Sequence, residues 1–189
     1  DLSVLNGVNA KLRANIKSLV VNPDLSLQDI SMTATLQNGA LVVSPLALNA
    51  GDGSVKGSFS IKSANNVFDL SLTGDDVVLQ NLWKGLTPVG SSTFGILSGG
   101  KTTLSVQLKG QGATTRQMVE SLNGQVVAIV GESKIQTGAL KYLTGNFVTQ
   151  LLKYLKIDKQ QKNLELNCAV VRTDIASGKA NFPKGIVFN

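Results

Sequence analysis

The sequence predicts a mainly β protein with some helix, an α+β chain built on an antiparallel meander. Three observations predict it. Apolar and polar residues alternate through most of the first half, the period of a strand with one buried face. Short Asn, Asp and Gly clusters separate the alternating runs, and these residues accept the positive φ that tight hairpins need. Nineteen glycines and 5% aromatic residues, against 42% hydrophobic residues, suit turn-rich β-structure made from Leu, Val, Ile and Ala.

The first strand is expected where Val8, Ala10, Leu12, Ala14 and Ile16 alternate with Asn9, Lys11, Arg13 and Asn15. The second is expected where Ile30, Met32, Ala34 and Leu36 alternate with Ser31, Thr33 and Thr35. Asn38-Gly39 then predicts a hairpin turn. The chain returns over Leu41 to Ala50. Pro45 has no N–H to give to a ladder, so this strand is expected at a sheet edge or with a bulge. Gly51-Asp52-Gly53 turns into a strand with Val55, Gly57, Phe59 and Ile61 on one face. Asn65-Asn66 turns into another with Phe68, Leu70 and Leu72. The meander therefore has one apolar and one polar face, and something must cover the apolar one: a second sheet, helices or lipid.

Helices are expected to interrupt the strands. Val77 to Leu86 follows Asp75-Asp76, whose carboxylates can cap a helix start. Paired carboxylates can also act as acid and base, but no neighbouring motif supports that, and capping is the better reading. Trp83 reads as a core anchor. Leu104, Val106 and Leu108 alternate with Thr103, Ser105, Gln107 and Lys109, a further strand. Thr114 to Leu122 reads as a short helix with Met118, Val119 and Leu122 on one face, ended by Asn123-Gly124. Gln125 to Val130 is an apolar strand. Ala139 to Ile157 carries the strongest helical period, through Leu140, Leu143, Phe147, Leu151 and Leu155, and Gly145 can break it in two. Lys153, Lys156, Lys159 and Lys162 crowd its end. Such a helix can lie on a membrane or pack on a sheet with its lysines in water, and packing is preferred. Leu164 to Ile175 and Ala180 to Phe188 return to strand around Ser177-Gly178.

Several chemistries find no residues. Gly95, four residues, then Gly100-Lys101-Thr102 spells a P-loop pattern, but a P-loop needs a helix after its lysine and an alternating strand follows here. The chain has no histidine, which removes His-based triads, bases and metal sites. Its single cysteine, Cys168, cannot form an internal disulfide or a Cys-cluster zinc site, and its flanks read as strand, so it is expected to be a small buried hydrophobe. The net charge of +6 suits an anionic partner, either nucleic acid or an anionic membrane surface. The basic residues lie along strands with few aromatics between them, so nucleic acid is not expected. No catalytic residue, metal site or cofactor is expected. No apolar run reaches the roughly 18 residues of a membrane-spanning helix.

The order of segments carries more than any one motif. An alternating meander is followed by a short helix, then LSGGKTTLSVQLKGQG, then TTRQMVESLNGQVVAIVGES, a helical insert and NLELNCAVVRTDIASGKA. This order resembles the C-terminal region of the AsmA family of Gram-negative envelope proteins, over roughly Leu2 to Phe188. The chain departs from the family at two turns. Gly131-Glu132-Ser133 and Ser177-Gly178-Lys179 stand where the family commonly has Asp-Gly.

The resemblance implies one AsmA-like domain over residues 1–189, a piece of a longer membrane-anchored protein. Its parts would be a meander over 1–75, mixed strand and helix over 76–160, and returning strands over 161–189. The implied fold is a long curved antiparallel β-meander forming a groove or half-barrel, with a few short amphipathic helices covering one face or end. The implied setting is the periplasmic face of the inner membrane, and the implied role is outer-membrane assembly and inter-membrane lipid transport. Phospholipid or another acyl-chain lipid would lie on the apolar wall, with the membrane and envelope proteins as further partners. The lipid-facing residues would be Leu12, Ala14 and Ile16, then Met32, Ala34 and Leu36. Val55, Phe59 and Ile61 would follow, then Phe68, Leu70 and Leu72, and last Leu104, Val106 and Leu108. Two other readings stay open. The same face can be a core covered by the protein's own helices, or the chain can be an interaction module whose sheet edge pairs with another strand.

Overall fold

The structure is a computed structural model that describes residues 2–23, 25–79, 81, 97–136, 163–181 and 186–188. A 3-10 turn over Leu2–Gly7 leads into five strands joined by short hairpins: β1 (Ala10–Asn22), β2 (Leu25–Gln37), β3 (Ala40–Ala50), β4 (Gly53–Lys62) and β5 (Val67–Val78). Then come β6 (Leu97–Gly99), β7 (Lys101–Gln111), the helix α1 (Thr115–Glu120), β8 (Asn123–Val130) and β9 (Ser133–Gln136). β10 (Asn163–Leu166), β11 (Ala169–Ala176), β12 (Lys179–Asn181) and β13 (Ile186–Phe188) follow. One large antiparallel sheet runs in the order β1-β2-β3-β4-β5-β7-β8-β11-β12, and β13 also pairs with β11. The sheet is open, with β1 at one end of that order and β12 at the other.

The turn residues do what their conformational freedom allows. Asn38 and Gly39 have φ of 49° and 71°, Gly51 and Asp52 have 57° and 64°, and Ser177 and Gly178 have 49° and 71°. Positive φ at both central residues matches the twist of the flanking strands. Asn66, at φ 50°, closes the longer loop into β5. α1 begins on Thr114, whose hydroxyl accepts the Gln117 N–H at 3.2 Å, while the Gln117 side chain accepts the Ala113 N–H at 2.9 Å. α1 is the only α-helix bounded at both ends among the described residues. Val119, expected on its packed face, is 56% exposed.

Of three sequence expectations, the structure decides one between its two alternatives and corrects the other two. Pro45 is not at an edge, because β3 lies between β2 and β4; it sits in a bulge, the other reading of a strand proline. Asp75-Asp76 caps no helix. Both residues belong to β5, Asp76 has φ 58°, and Val77 and Val78 continue the strand; Leu79 and Asn81, the described residues beyond it, are helical. The rest of the expected Val77–Leu86 helix, Trp83 included, lies outside the described residues, as does the Ala139–Ile157 helix. Third, Leu164 to Ile175 is not one strand but β10 and β11, broken at Asn167-Cys168. Cys168 therefore lies between strands and is half-buried, not a fully buried strand residue.

Bulges hold the apolar face together. The register slips by one residue at Ser44-Pro45 against both neighbours, so that Leu46 comes opposite Met32 and Gly57. Without the slip Pro45 would take that place and Leu46 and Leu48 would point to the other side. The slip at Asp75-Asp76 likewise brings Val77, not Asp76, opposite Thr102. A third slip, at Asp29 (φ 48°), offsets β2 against β3.

β6, β9 and β10 form a second, three-stranded sheet in the order β10-β9-β6. It is the continuation of β7, β8 and β11 past a bend. Thr102 pairs with Val130; three residues back along one strand and three on along the other, Gly99 pairs with Ser133. The ladder from Ala169↔Val130 to Leu166↔Ser133 also skips nothing. The bend falls at Gly100, Gly131-Glu132 and Asn167-Cys168. The deepest side chains of the described residues lie beside it: Val77 and Thr102 have no exposed surface, and Val130 and Ala169 keep 4% each.

Candidate functional site

Residues opposite each other in an antiparallel sheet share a face, so the registers map that face across the whole sheet. One row runs Leu12, Ala34, Val43, Phe59, Leu70, Leu108, Gly124, Ile175, Ala180. The next runs Ala14, Met32, Leu46, Gly57, Leu72, Val106, Val126, Thr173. Ile16 pairs with Ile30 two residues further on, and Val55, Gly74, Leu104, Ala128 and Val171 line up across the later strands. On the near side Leu36, Leu41, Ile61, Phe68 and Gly110 make another row. All fifteen residues that the sequence singled out stand on this one face.

Nine strands at about 4.8 Å spacing make a face about 38 Å across, measured along the sheet. Leu12 and Ile16 are 56% and 37% exposed, and the other thirteen are half-buried. None reaches the burial of an interior side chain. α1 and the 3-10 turn lie at the Leu36–Phe68 end: a Cβ on Gly110 would fall 2.9 Å from the Met118 carbonyl oxygen, and Ser63 donates to Asn6 Oδ1 at 2.7 Å.

Sequence reasoning missed part of the face. Leu41, Val43, Leu46 and Leu48 belong to it, as do Val126, Ala128, Val171 and Ile175. The segment ALVVSPLALNA and the run VVAIV of β8 place apolar residues side by side, so no period of two shows which residues face which way. Pairing with the alternating neighbours β4 and β7 decides it.

The opposite face is mostly polar, and more of its charged residues are basic than acidic. Lys11, Arg13 and Asn15 stand across from Thr35, Thr33 and Ser31, and Lys56, Lys62 and Lys109 lie further along. Val127, Ile129 and Val170 interrupt it near β11; Ile129 is exposed and the other two are half-buried.

Other candidate sites contain little chemistry. A strand, not a helix, starts at Lys101, so no amide cradle follows the P-loop pattern; the Lys101 ammonium pairs with Asp76 at 3.1 Å instead. A cavity of about 250 Å³ lies between Leu25, Gln28, Asn49, Ala50, Asp52 and Asn81. Asn81 donates to Asp52 there at 2.6 Å, and Asn49 to Asp29 at 3.1 Å. No group of three metal-ligating side chains occurs among the described residues. Asp174 is held below the ordinary carboxylate range, chiefly by the Arg172 hydrogen bonds at 3.0 and 3.3 Å, then by Gln125 at 3.1 Å.

Comparisons with protein-family models, with curated proteins and with solved structures find no match to this chain.

Proposed function

We propose that this chain is a noncatalytic lipid-carrying module of the Gram-negative envelope, whose apolar sheet face holds phospholipid acyl chains. One observation carries the reading: an apolar face continuous over the open sheet, with none of its fifteen predicted residues buried as a core would be. An apolar surface this wide marks a binding site more often than bare surface. Hydrocarbon needs area and little directional chemistry. A tail that lays one side of about a dozen methylenes on the face gains about 5 kcal/mol. The bulges at Asp29, Ser44-Pro45 and Asp75-Asp76 are devices that bend strands, and they support a curved, groove-like or half-barrel form. The cations of the opposite face suit phosphate-bearing headgroups at a rim.

The setting comes from the AsmA resemblance: the periplasmic face of the inner membrane, with a role in lipid transport and outer-membrane biogenesis. The test uses protein stripped of lipid and then incubated with a labelled phospholipid. Label is expected to co-elute on gel filtration, and photo-crosslinkers at Phe59 and Leu70 are expected to capture it. A Phe59→Asp, Leu70→Asp variant with unchanged circular dichroism is expected to retain at least tenfold less. Absence of both co-elution and crosslinks rejects the reading. A second reading, an interaction module without lipid, is favoured by the exposed β1 strand.

A further inference from the structure

We propose that the free edge of β1 is a docking site for one further strand, and that this strand carries acidic residues alternating with apolar ones. The inference does not depend on lipid binding. Among the described residues β1 pairs on one side only, with β2. Its other side is open: Leu12, Leu19, Val20 and Val21 are 56%, 45%, 70% and 50% exposed, and all of β1 except Ala14 and Asn22 is exposed. In an antiparallel ladder alternate residues turn their N–H and C=O groups away from the existing neighbour. The strand thus offers, over Ala10 to Val21, a row of outward donors and acceptors, which is a template for strand addition.

Charge specifies the occupant. Lys11, Arg13 and Lys17 lie on the polar side of β1, spread over about 20 Å. Lys11 and Arg13 stand across from Thr35 and Thr33, and Asp29, near Lys17, engages Asn49. None of the three cations forms an ion pair among the described residues. A docked strand with Asp or Glu at alternate positions faces them directly and also sets its apolar residues beside Leu12, Ala14 and Ile16. A second copy of this chain fits poorly in the registers that centre on the cations. Antiparallel pairing of two β1 strands about Ala14 brings Lys11 against Lys17, and pairing one residue earlier brings Arg13 against Arg13. Like charges so placed repel. In these registers the edge resists self-pairing, whereas an acidic strand meets the cations in every register that keeps the faces matched.

The experiment uses the whole chain and three labelled peptides of about eleven residues. One alternates Glu with Val and Leu, the second has Lys for each Glu, and the third is the Glu peptide with two central prolines, which remove ladder N–H groups. Fluorescence anisotropy at low salt is expected to show the Glu peptide binding at least tenfold tighter than the Lys peptide, with the gap closing in high salt. Amide exchange of β1 is expected to slow when the Glu peptide is bound, and the proline peptide is expected not to bind. The Lys11→Glu, Arg13→Glu, Lys17→Glu variant is expected to prefer the Lys peptide, a gain that a misfolded protein cannot produce. Equal binding of the Glu and Lys peptides, unweakened binding of the proline peptide, or an unchanged preference in the triple variant overturns the proposal. So does a β1-mediated homodimer in sedimentation at low salt. Phosphatidylglycerol vesicles are the control for a membrane partner. Binding to them that needs Lys11, Arg13 and Lys17, without β1 protection by the Glu peptide, overturns the proposal in favour of an anionic surface.

Discussion

At one end of the large sheet Leu12 of β1 is 56% exposed, while toward the bend Val77 and Thr102, on the same face, have no exposed surface. β1 and β7 alternate equally clearly, yet Leu12 is exposed and Thr102 is not, so the pattern alone does not set burial. Among the described residues β1 has a neighbouring strand on one side only. The ends of β5, β7, β8 and β11 are flanked on both sides and bent at Gly100, Gly131-Glu132 and Asn167-Cys168. Alternation chooses the face; neighbours and bends choose how dry it becomes. The bend is where side chains pack to zero exposure, and the strand at the sheet's end is where apolar surface stays in water.

The largest effect is expected at the bend itself. Gly100 has φ 76°, and a Cβ there would fall 3.0 Å from both Ser133 Cβ and Val130 Cγ1. Gly100→Val combines left-handed strain with overpacking, and urea unfolding is expected to show a loss of about 3 kcal/mol. A loss under about 1 kcal/mol would mean that the bend is soft and the contrast overdrawn.

Next comes a matched pair of truncations. Val77→Ala removes two methyl groups from a site with no exposed surface, and about 2 kcal/mol of stability is expected to go with them. Leu12→Ala removes more carbon from β1 and is expected to cost under about 0.5 kcal/mol, because that side chain is already in water. Equal losses in chemical denaturation would erase the difference between the regions.

The smallest effect is expected at Asp174, on the polar face. Its folded-state pKa is lowered by Arg172 and Gln125, so it contributes stability above its unfolded pKa and loses it as pH falls through the folded one. The side chain is 37% exposed, which keeps the contribution small. Thermal melts of the wild type and Asp174→Asn should therefore differ slightly at pH 6 and converge below about pH 4. A gap that widens in acid contradicts the sign.

Much of the fold is legible in the sequence because hairpins are local. Asn38-Gly39, Gly51-Asp52 and Ser177-Gly178 announce their turns, and alternation in β1, β2, β4, β5 and β7 assigns all fifteen face residues. The strand after Lys101 is equally plain, since Leu104, Val106 and Leu108 leave no helical period. What failed to show was the treatment of Asp75-Asp76. Two carboxylates before an apolar run are as good a cap as a bulge, and only the ladder between β5 and β7 reveals that one residue is extra. The edge-or-bulge ambiguity of Pro45 has the same origin, because both readings explain a missing N–H.

The sequence by itself determined the period, the turns and therefore the apolar face of each alternating strand, since these depend on neighbours within a few residues. Tertiary structure alone decided the sides taken by the apolar runs of β3 and β8, the bulges and the shared bend of β7, β8 and β11. Each of those depends on which backbone lies alongside, and hydrogen-bond partners of neighbouring strands are fixed by pairing across the sheet.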